Sequence, residues 1–447
     1  MSPGSGYRVR SGRTDMTIPK ISFPGRGFAR GPQRTALSHR TAAMYAFPPR
    51  ALASLIVLCV LASGCATRVE NVLQPHQVAA NDASRVSMLV ATTRRPSDDP
   101  GRLYSGERGT AISLNNLTVS IPPDRNRKIG EVQWPSRVPP NPEKEFAILE
   151  VGKVATEGQA LAWFRKNRNA KRQVLIFVHG FNNTYADAVF RFAQIVHDSG
   201  TDAAPILFAW PSRARVFDYL YDKESANYSR RALEDLLLQA TRSPDVDEVT
   251  ILAHSMGTWL AAEALRGVAM REKSIPAKIK NVILASPDID IDVFRRQFIE
   301  MGPKRPHFAI LTSTRDKALE VSGFLSGGVD RVGGSDLRPY AAALEELGVS
   351  VIDTSAITSN DPLGHNAFAD SPEIVRLLGR RLAGQSISGG EETFADRVGV
   401  AAANFAGSAA RVAVAAPVSV ISGDAREVLK RELSPSSGQI VDGRIAY

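Results

Sequence analysis

Val249-Thr-Ile-Leu-Ala-His-Ser-Met-Gly257 is the stretch on which the reading of this 447-residue chain turns. Residues 249–253 form a short, continuously apolar, β-rich run, and an amphipathic helical pattern opens at 256 and lasts to 271. Between them there is room only for a sharp turn. Ala253 and Gly257 flank Ser255 at the spacing of a G-x-S-x-G elbow, with alanine in the first glycine position. Small residues are needed there because the turn forces the serine backbone into strained geometry close to neighbouring chain. The serine hydroxyl is thereby held clear of the sheet, with a helix N-terminus behind it. A five-residue string alone equally suits a serine that merely caps the helix. The strand, turn and helix around it favour a nucleophile.

Working outward, short apolar runs recur at 174–178, 205–210, 282–285, 308–312 and 349–352, and helical patterns occupy 184–198, 225–241, 290–300 and 371–383. Continuously hydrophobic strands alternating with helices predict a mostly parallel central sheet covered by helices on both faces. Three further strand-like segments, 86–93, 117–121 and 146–151, precede this pattern and read as extra N-terminal strands.

A nucleophilic serine needs a base. The chain has seven histidines: His39, His76, His179, His197, His254, His307 and His365. The first lies in the leader and the second in a polar segment. His197 falls near a helix end, His307 begins a strand, and His254 adjoins the serine with its side chain expected on the other side of the turn. His365, in a loop after the last strand and before the last helix, is left as the base. The acid belongs between serine and histidine, after the next-to-last strand, where Asp316 stands in Thr312-Ser-Thr-Arg-Asp316. Asp288, after the preceding strand, is the alternative, and either carboxylate also suits a helix cap. The order Ser, Asp, His is the one an α/β hydrolase requires.

An oxyanion needs two donors. The N–H of Met256, directly after the serine, is one. The other is expected from the loop after the first core strand, His179-Gly-Phe-Asn-Asn183, with the N–H of Phe181 as the candidate; His179 is read as bracing this loop and Asn183 as capping the next helix. No cofactor is expected, since neither a metal cluster nor a phosphate-cradling glycine loop is found in the sequence.

Composition bounds the partners. Lys and Arg number 55 against 46 acidic residues, a net of +9. Nine of those basic residues and one acid fall in the first fifty positions, so the rest of the chain carries 46 basic and 45 acidic residues, or +1. A body so balanced has no built-in attraction for nucleic acid. The two cysteines, Cys59 and Cys65, lie together near the start, which excludes a disulfide framework and a thiolate metal site from the body. The apolar run 51–62, preceded by Arg50 and followed by Ala62-Ser-Gly-Cys65, resembles a bacterial lipoprotein signal; the resemblance implies acylation at Cys65, a membrane partner through that anchor, and a place in the cell envelope. A cleaved secretory signal or an uncleaved anchor is the other reading.

Met44 starts a compact signal and is read as the true start, so 1–43 are read as a non-native upstream leader, 44–64 as lipoprotein signal peptide, 65–84 as tether, 85–384 as the α/β-hydrolase domain and 385–447 as a low-complexity Ala/Gly-rich tail. Within that tail, 398–421 is apolar but interrupted by Arg411 and Pro417. A surface-associated or poorly ordered helix is expected there rather than a membrane span.

Several blocks in order carry a wider resemblance: Ala91-Thr-Thr-Arg94, Gly106-Glu-Arg-Gly109, Val178-His-Gly-Phe-Asn-Asn183, Phe208-Ala-Trp-Pro-Ser212, Tyr219-Leu-Tyr-Asp222, Ala253-His-Ser-Met-Gly257 and Ser286-Pro-Asp288. From about Val86 to Leu382 the chain resembles the uncharacterised bacterial α/β-hydrolase family labelled esterase- or lipase-like, which is common among secreted lipoproteins. The resemblance implies the α/β-hydrolase fold and Ser255, Asp316 and His365 as a triad, and leaves the substrate open. The expected activity is hydrolysis of a carboxylic ester, with a small-molecule or lipid ester as substrate. Acyl transfer by the same triad and a non-catalytic binding platform are the alternatives. Trp210, Tyr219 and Tyr221 have no catalytic chemistry of their own and are read as pocket lining or packing.

Overall fold

The central strands are hydrophobic without a break because the sheet has a core on either side. The computed structural model describes residues 69–382, except 77, 78 and 358, together with a short strand pair, Ile440–Val441 and Arg444–Ile445. The leader, the signal, Cys65 and nearly all of the tail lie outside the described residues.

The strands in chain order are β1 (Ser84–Pro96), β2 (Tyr104–Ile121), β3 (Ala147–Val154), β4 (Gln173–Val178), β5 (Ala204–Ala209), β6 (Glu248–His254), β7 (Ile279–Ala285), β8 (His307–Thr312) and β9 (Val349–Asp353). The helices are α1 (Glu157–Asn167), α2 (Tyr185–Ser199), α3 (Tyr219–Arg242), α4 (Met256–Glu272), α5 (Ile291–Glu300), α6 (Lys317–Leu325), α7 (Ala341–Glu346), α8 (Ala367–Asp370) and α9 (Pro372–Leu382). The strands form one sheet in the order β3-β2-β1-β5-β4-β6-β7-β8-β9. Pairing is antiparallel among β1, β2 and β3 and parallel from β1 through to β9. This is the mostly parallel sheet with extra N-terminal strands that the sequence predicts.

Alternation along β4 shows the two cores directly. Val174, Ile176 and Val178 pack into a cluster with Leu233, Leu237, Leu260 and Leu265 of α3 and α4. Leu175 and Phe177 pack into the other, with Phe190, Ile195 and Leu378 of α2 and α9. The ends of α2 are fixed by local chemistry: Thr184 and Asp187 form a reciprocal capping box, and Gly200 closes the helix at φ 66°. Thr184, not Asn183, is therefore the cap.

Strand order sets the site. The connection from β4 leads to β5 on one side, while β6 lies on the other, so the chain changes direction beside β4. A crevice opens at the carboxyl ends of strands at such a switch point. Val178 pairs with Ala253, which brings the loop after β4 and the turn after β6 out of the sheet side by side.

The N-terminal side of the domain differs from the expectation. The segment 69–76 is anchored on the domain at Val72, Leu73 and His76 instead of forming part of a free tether. Val72 and Leu73 are buried, the Leu73 N–H donates to Gly101 O at 3.0 Å, and the His76 N–H donates to Ile148 O at 2.7 Å. Two adjacent aliphatic residues suffice for this contact and give no periodic signal. Leu73→Ala is expected to destabilise the full chain by about 2–5 kcal/mol, the range for a buried leucine. Urea unfolding checks this, and an unchanged midpoint would mean that the segment is not packed.

Candidate active site

Ser255 sits between β6 and α4 with φ 52° and ψ −127°, a left-handed conformation that a non-glycine residue holds only where its surroundings enforce it. The enforcement is visible. Ser255 N–H donates to Ala285 O at 3.0 Å, while its carbonyl accepts from Thr258 Oγ1 at 2.6 Å and from the N–H of Asp288 at 3.3 Å. Two glycines make the turn sterically feasible. A Cβ on Gly257 would lie 2.3 Å from His179 O, and one on Gly180 would lie 2.8 Å from Ser255 Cβ. The two loops therefore touch only because neither glycine has a side chain.

His365 reaches the same crevice from the loop after β9, and its Nδ1 donates to Asp316 Oδ2 at 2.7 Å. That bond places the proton on Nδ1 and leaves Nε2 as the acceptor. Asp316 serves two ends at once. Its other oxygen, Oδ1, accepts from the N–H groups of Ala318 and Leu319, each at 3.1 Å, so it caps α6 and holds the imidazole. Helix cap and histidine partner, which the sequence poses as alternatives, are here one carboxylate. Asp288 is occupied elsewhere: it accepts from Tyr219 Oη at 3.0 Å and from Ser322 Oγ, and pairs with Arg331 Nε at 3.2 Å.

The backbone of His365 is held as firmly as its ring. Asp361 Oδ2 accepts its N–H at 2.9 Å, and its carbonyl accepts from Ser286 Oγ at 3.2 Å and His254 Nε2 at 3.3 Å. His254 thus faces the base instead of turning away: its ring stacks on Phe368 with centroids 4.3 Å apart and lies 4.7 Å from the His365 ring. Burial, then the neighbouring His365, holds the His254 pKa well below the usual histidine value, so it is neutral. For His365 burial also opposes the charged form, but the Asp316 carboxylate outweighs it, with Asp288 and Asp361 adding to the effect, and its pKa is raised.

Met256 opens α4, so its N–H is among those that helix geometry leaves unpaired. The Phe181 N–H takes no backbone acceptor among the described residues. The loop carrying Phe181 is braced by residues to which the sequence assigns no chemistry. Asn183 N–H donates to Ser212 Oγ at 3.1 Å, Trp210 Nε1 donates to His179 O at 2.7 Å, and the Trp210 ring stacks on His179 at 4.8 Å. Buried Arg94 donates to the carbonyls of Asn183 at 2.8 Å and Ser212 at 3.1 Å. Burial lowers the Arg94 pKa to about 10, against the opposing charge of Asp222, so the group stays cationic near neutral pH. Burial, and then Arg94, lowers the His179 pKa to about 3; the neutral imidazole has one N–H, and it donates to one of the two carbonyls in reach, Gly180 O at 2.8 Å from Nδ1 or Trp210 O at 3.1 Å from Nε2, which braces the loop. Trp210 thus packs, Tyr219 lines the cavity, and Tyr221 bonds Glu107 at 3.1 Å.

Ser255, His365, Phe181 and Tyr219 line one cavity of about 340 Å³. One wall is apolar, formed by Val216, Leu319, Val321 and Leu325.

A nine-stranded, mostly parallel sheet with a serine elbow after β6 and a His–Asp pair after β9 and β8 is that of an α/β hydrolase. The chain belongs to the family of α/β hydrolases of unknown function (DUF900), whose profile matches residues 156–381. A curated relative, an uncharacterized protein of Nostoc sp., is 26% identical over an alignment of 143 residues that covers 26% of this chain and 37% of that protein. The chain thus spans well under half the length of the curated relative it matches. Among solved structures it is similar to an esterase of Pyrococcus furiosus, at 10% identity and TM-score 0.31 over 70% of this chain and 98% of that one. It is also similar to a fungal esterase of Rhizomucor miehei, at 13% identity and TM-score 0.30 over 77% and 93%.

Titration of selectively labelled histidines by NMR tests the electrostatics of the pair. His365 is expected to titrate above the usual 6.5 of a histidine. In Asp316→Asn the carboxylate that favours the imidazolium is gone while burial remains, so the midpoint should move down. An unchanged midpoint would show that Asp316 does not govern the ring.

Proposed function

We propose that this protein is a lipid-anchored serine hydrolase that cleaves a carboxylic ester through an acyl-serine intermediate. Acylated Cys65 would hold it in the cell envelope, with the domain facing the periplasm or the exterior. The observation that carries the enzymatic reading is the Asp316–His365 bond, with Nε2 left basic in the cavity that Ser255 lines.

The chemistry follows from those positions. Ser255 Oγ attacks the ester carbonyl while His365 Nε2 takes its proton, and Asp316 stabilises the imidazolium without itself becoming protonated. Negative charge developing on the carbonyl oxygen meets the N–H groups of Phe181 and Met256; a single donor of this kind contributes roughly 10²–10³ in kcat. Collapse of the tetrahedral intermediate breaks the bond to the alcohol, which leaves with the proton from His365. Water, deprotonated by the same imidazole, then releases the acid and restores the serine. The apolar wall suits an acyl chain, and the cavity falls in the range of ordinary small-ligand sites, roughly 300–1,000 Å³.

A fluorophosphonate probe should label the full chain and fail to label Ser255→Ala, whose turnover should fall about 10⁴-fold or more. Equal labelling of both proteins would remove Ser255 as nucleophile. With a p-nitrophenyl ester series, kcat/KM should fall on the acid side as His365 becomes protonated, at a pH above the ordinary histidine value. An absence of turnover across the series would refute ester hydrolysis.

A further inference from the structure

Phe217, Phe324 and Leu220 are the most exposed large apolar side chains among the described residues, at 84%, 80% and 71%. Each adjoins a residue that lines one cavity. Phe217 and Leu220 are interleaved with Val216 and Tyr219, which line the cavity holding Ser255, and Phe324 adjoins Leu325, which lines it from α6. Tyr219 Oη lies 2.9 Å from Ser322 Oγ, so the start of α3 and the body of α6 are in direct contact, and each of the three exposed side chains is carried by a segment that lines the cavity. An apolar rim left in water marks a surface that meets something else.

What it meets follows from where the chain enters the domain. Trp134 lines the same cavity, and its Nε1 donates to Val69 O at 3.3 Å. The buried pair Val72 and Leu73 fixes this entry. Cys65 stands four residues upstream of Val69, and four residues extend at most about 14 Å. A tether running to residue 84 would let the domain roam; a segment this short holds one wall of the cavity next to whatever holds Cys65.

We propose that the cavity opens toward the bilayer that holds Cys65, that Phe217, Leu220 and Phe324 enter its surface, and that the ester cleaved is carried by a lipid of that bilayer. This rests on the acyl-Cys65 and hydrolase readings above. Leu319, Val321 and Leu325 line the cavity that Ser255 also lines, so an acyl chain that enters it from hydrocarbon meets apolar side chains beside the serine. The bond broken is the lipid's ester bond: its acyl group goes to Ser255 Oγ, and its alcohol leaves with the proton from His365.

The test uses the full chain, purified with its anchor and reconstituted in phosphatidylcholine vesicles. A bimane label at Phe217→Cys should be quenched at least twofold by brominated acyl chains. Quenching by aqueous iodide alone, or by crowding with unlabelled protein and not by lipid, overturns the proposal; the second result would assign the rim to another copy of the chain. The triple variant Phe217→Ser, Leu220→Ser, Phe324→Ser should hydrolyse p-nitrophenyl butyrate within twofold of the parent. On a fluorogenic diacylglycerol in vesicles it should be slower by tenfold or more, and equal ratios on the two substrates overturn the proposal. The quenching needs no turnover. A chain that is quenched but cleaves neither ester defeats the hydrolase reading and leaves the docking surface standing, whereas an unacylated Cys65 by mass spectrometry overturns the anchor and this orientation together.

Discussion

Two parallel neighbours, β4 and β6, end at the same height, and the loops that leave them must pass within van der Waals contact. Every other feature of the site depends on that approach. It is why Gly257 faces the His179 carbonyl and Gly180 faces Ser255 with no space for a Cβ at either position. The left-handed backbone at Ser255 turns the chain from strand to helix in a single residue, so Ser255 and the loop with Phe181 line one cavity while Met256 opens the helix directly after the serine. Strain of about 1–3 kcal/mol for such a backbone is held by the hydrogen bonds at Ser255 and by the two cores behind the sheet.

The convergence is maintained by buried polar groups that take no part in bond-making. Arg94, Ser212, Trp210 and Asp222 lie behind the Phe181 loop, and Arg94 compensates the cost of its burial by donating to several carbonyls near the charge of Asp222. Opposite them, Asp361, Ser286 and His254 fix the backbone of His365. These groups orient the reacting ones, and a site so supported loses little freedom when a substrate arrives.

Much of this was legible because it depends on local pattern. Apolar runs covered on both faces gave the parallel strands, the small residues around Ser255 gave the elbow, and elimination among seven histidines led to His365, which the structure brings to Asp316. What escaped depends on contacts far apart in sequence. Nothing near Arg94 shows that it will reach Asn183 and Ser212, although the blocks 91–94, 208–212 and 219–222 mark those places. His254 was expected to turn away, since sequence cannot show that the loop after β9 folds back over it. The packed residues from 69 lack periodicity because a bridge to β3 and one buried aliphatic pair, not a regular element, hold them. Short helices such as α6 and α7 carry too few turns to stand out.

The claim on which the whole account rests is that Ser255 becomes acylated. Rapid acid quenching of the full chain during turnover of a p-nitrophenyl ester, followed by mass spectrometry of the tryptic peptide 243–266, measures this directly. The account predicts that this peptide gains the mass of the acyl group, that fragmentation places it on Ser255, and that it accumulates in a burst equal to the enzyme present. Sustained turnover with Ser255 unmodified, or with the acyl group on another residue, would contradict it.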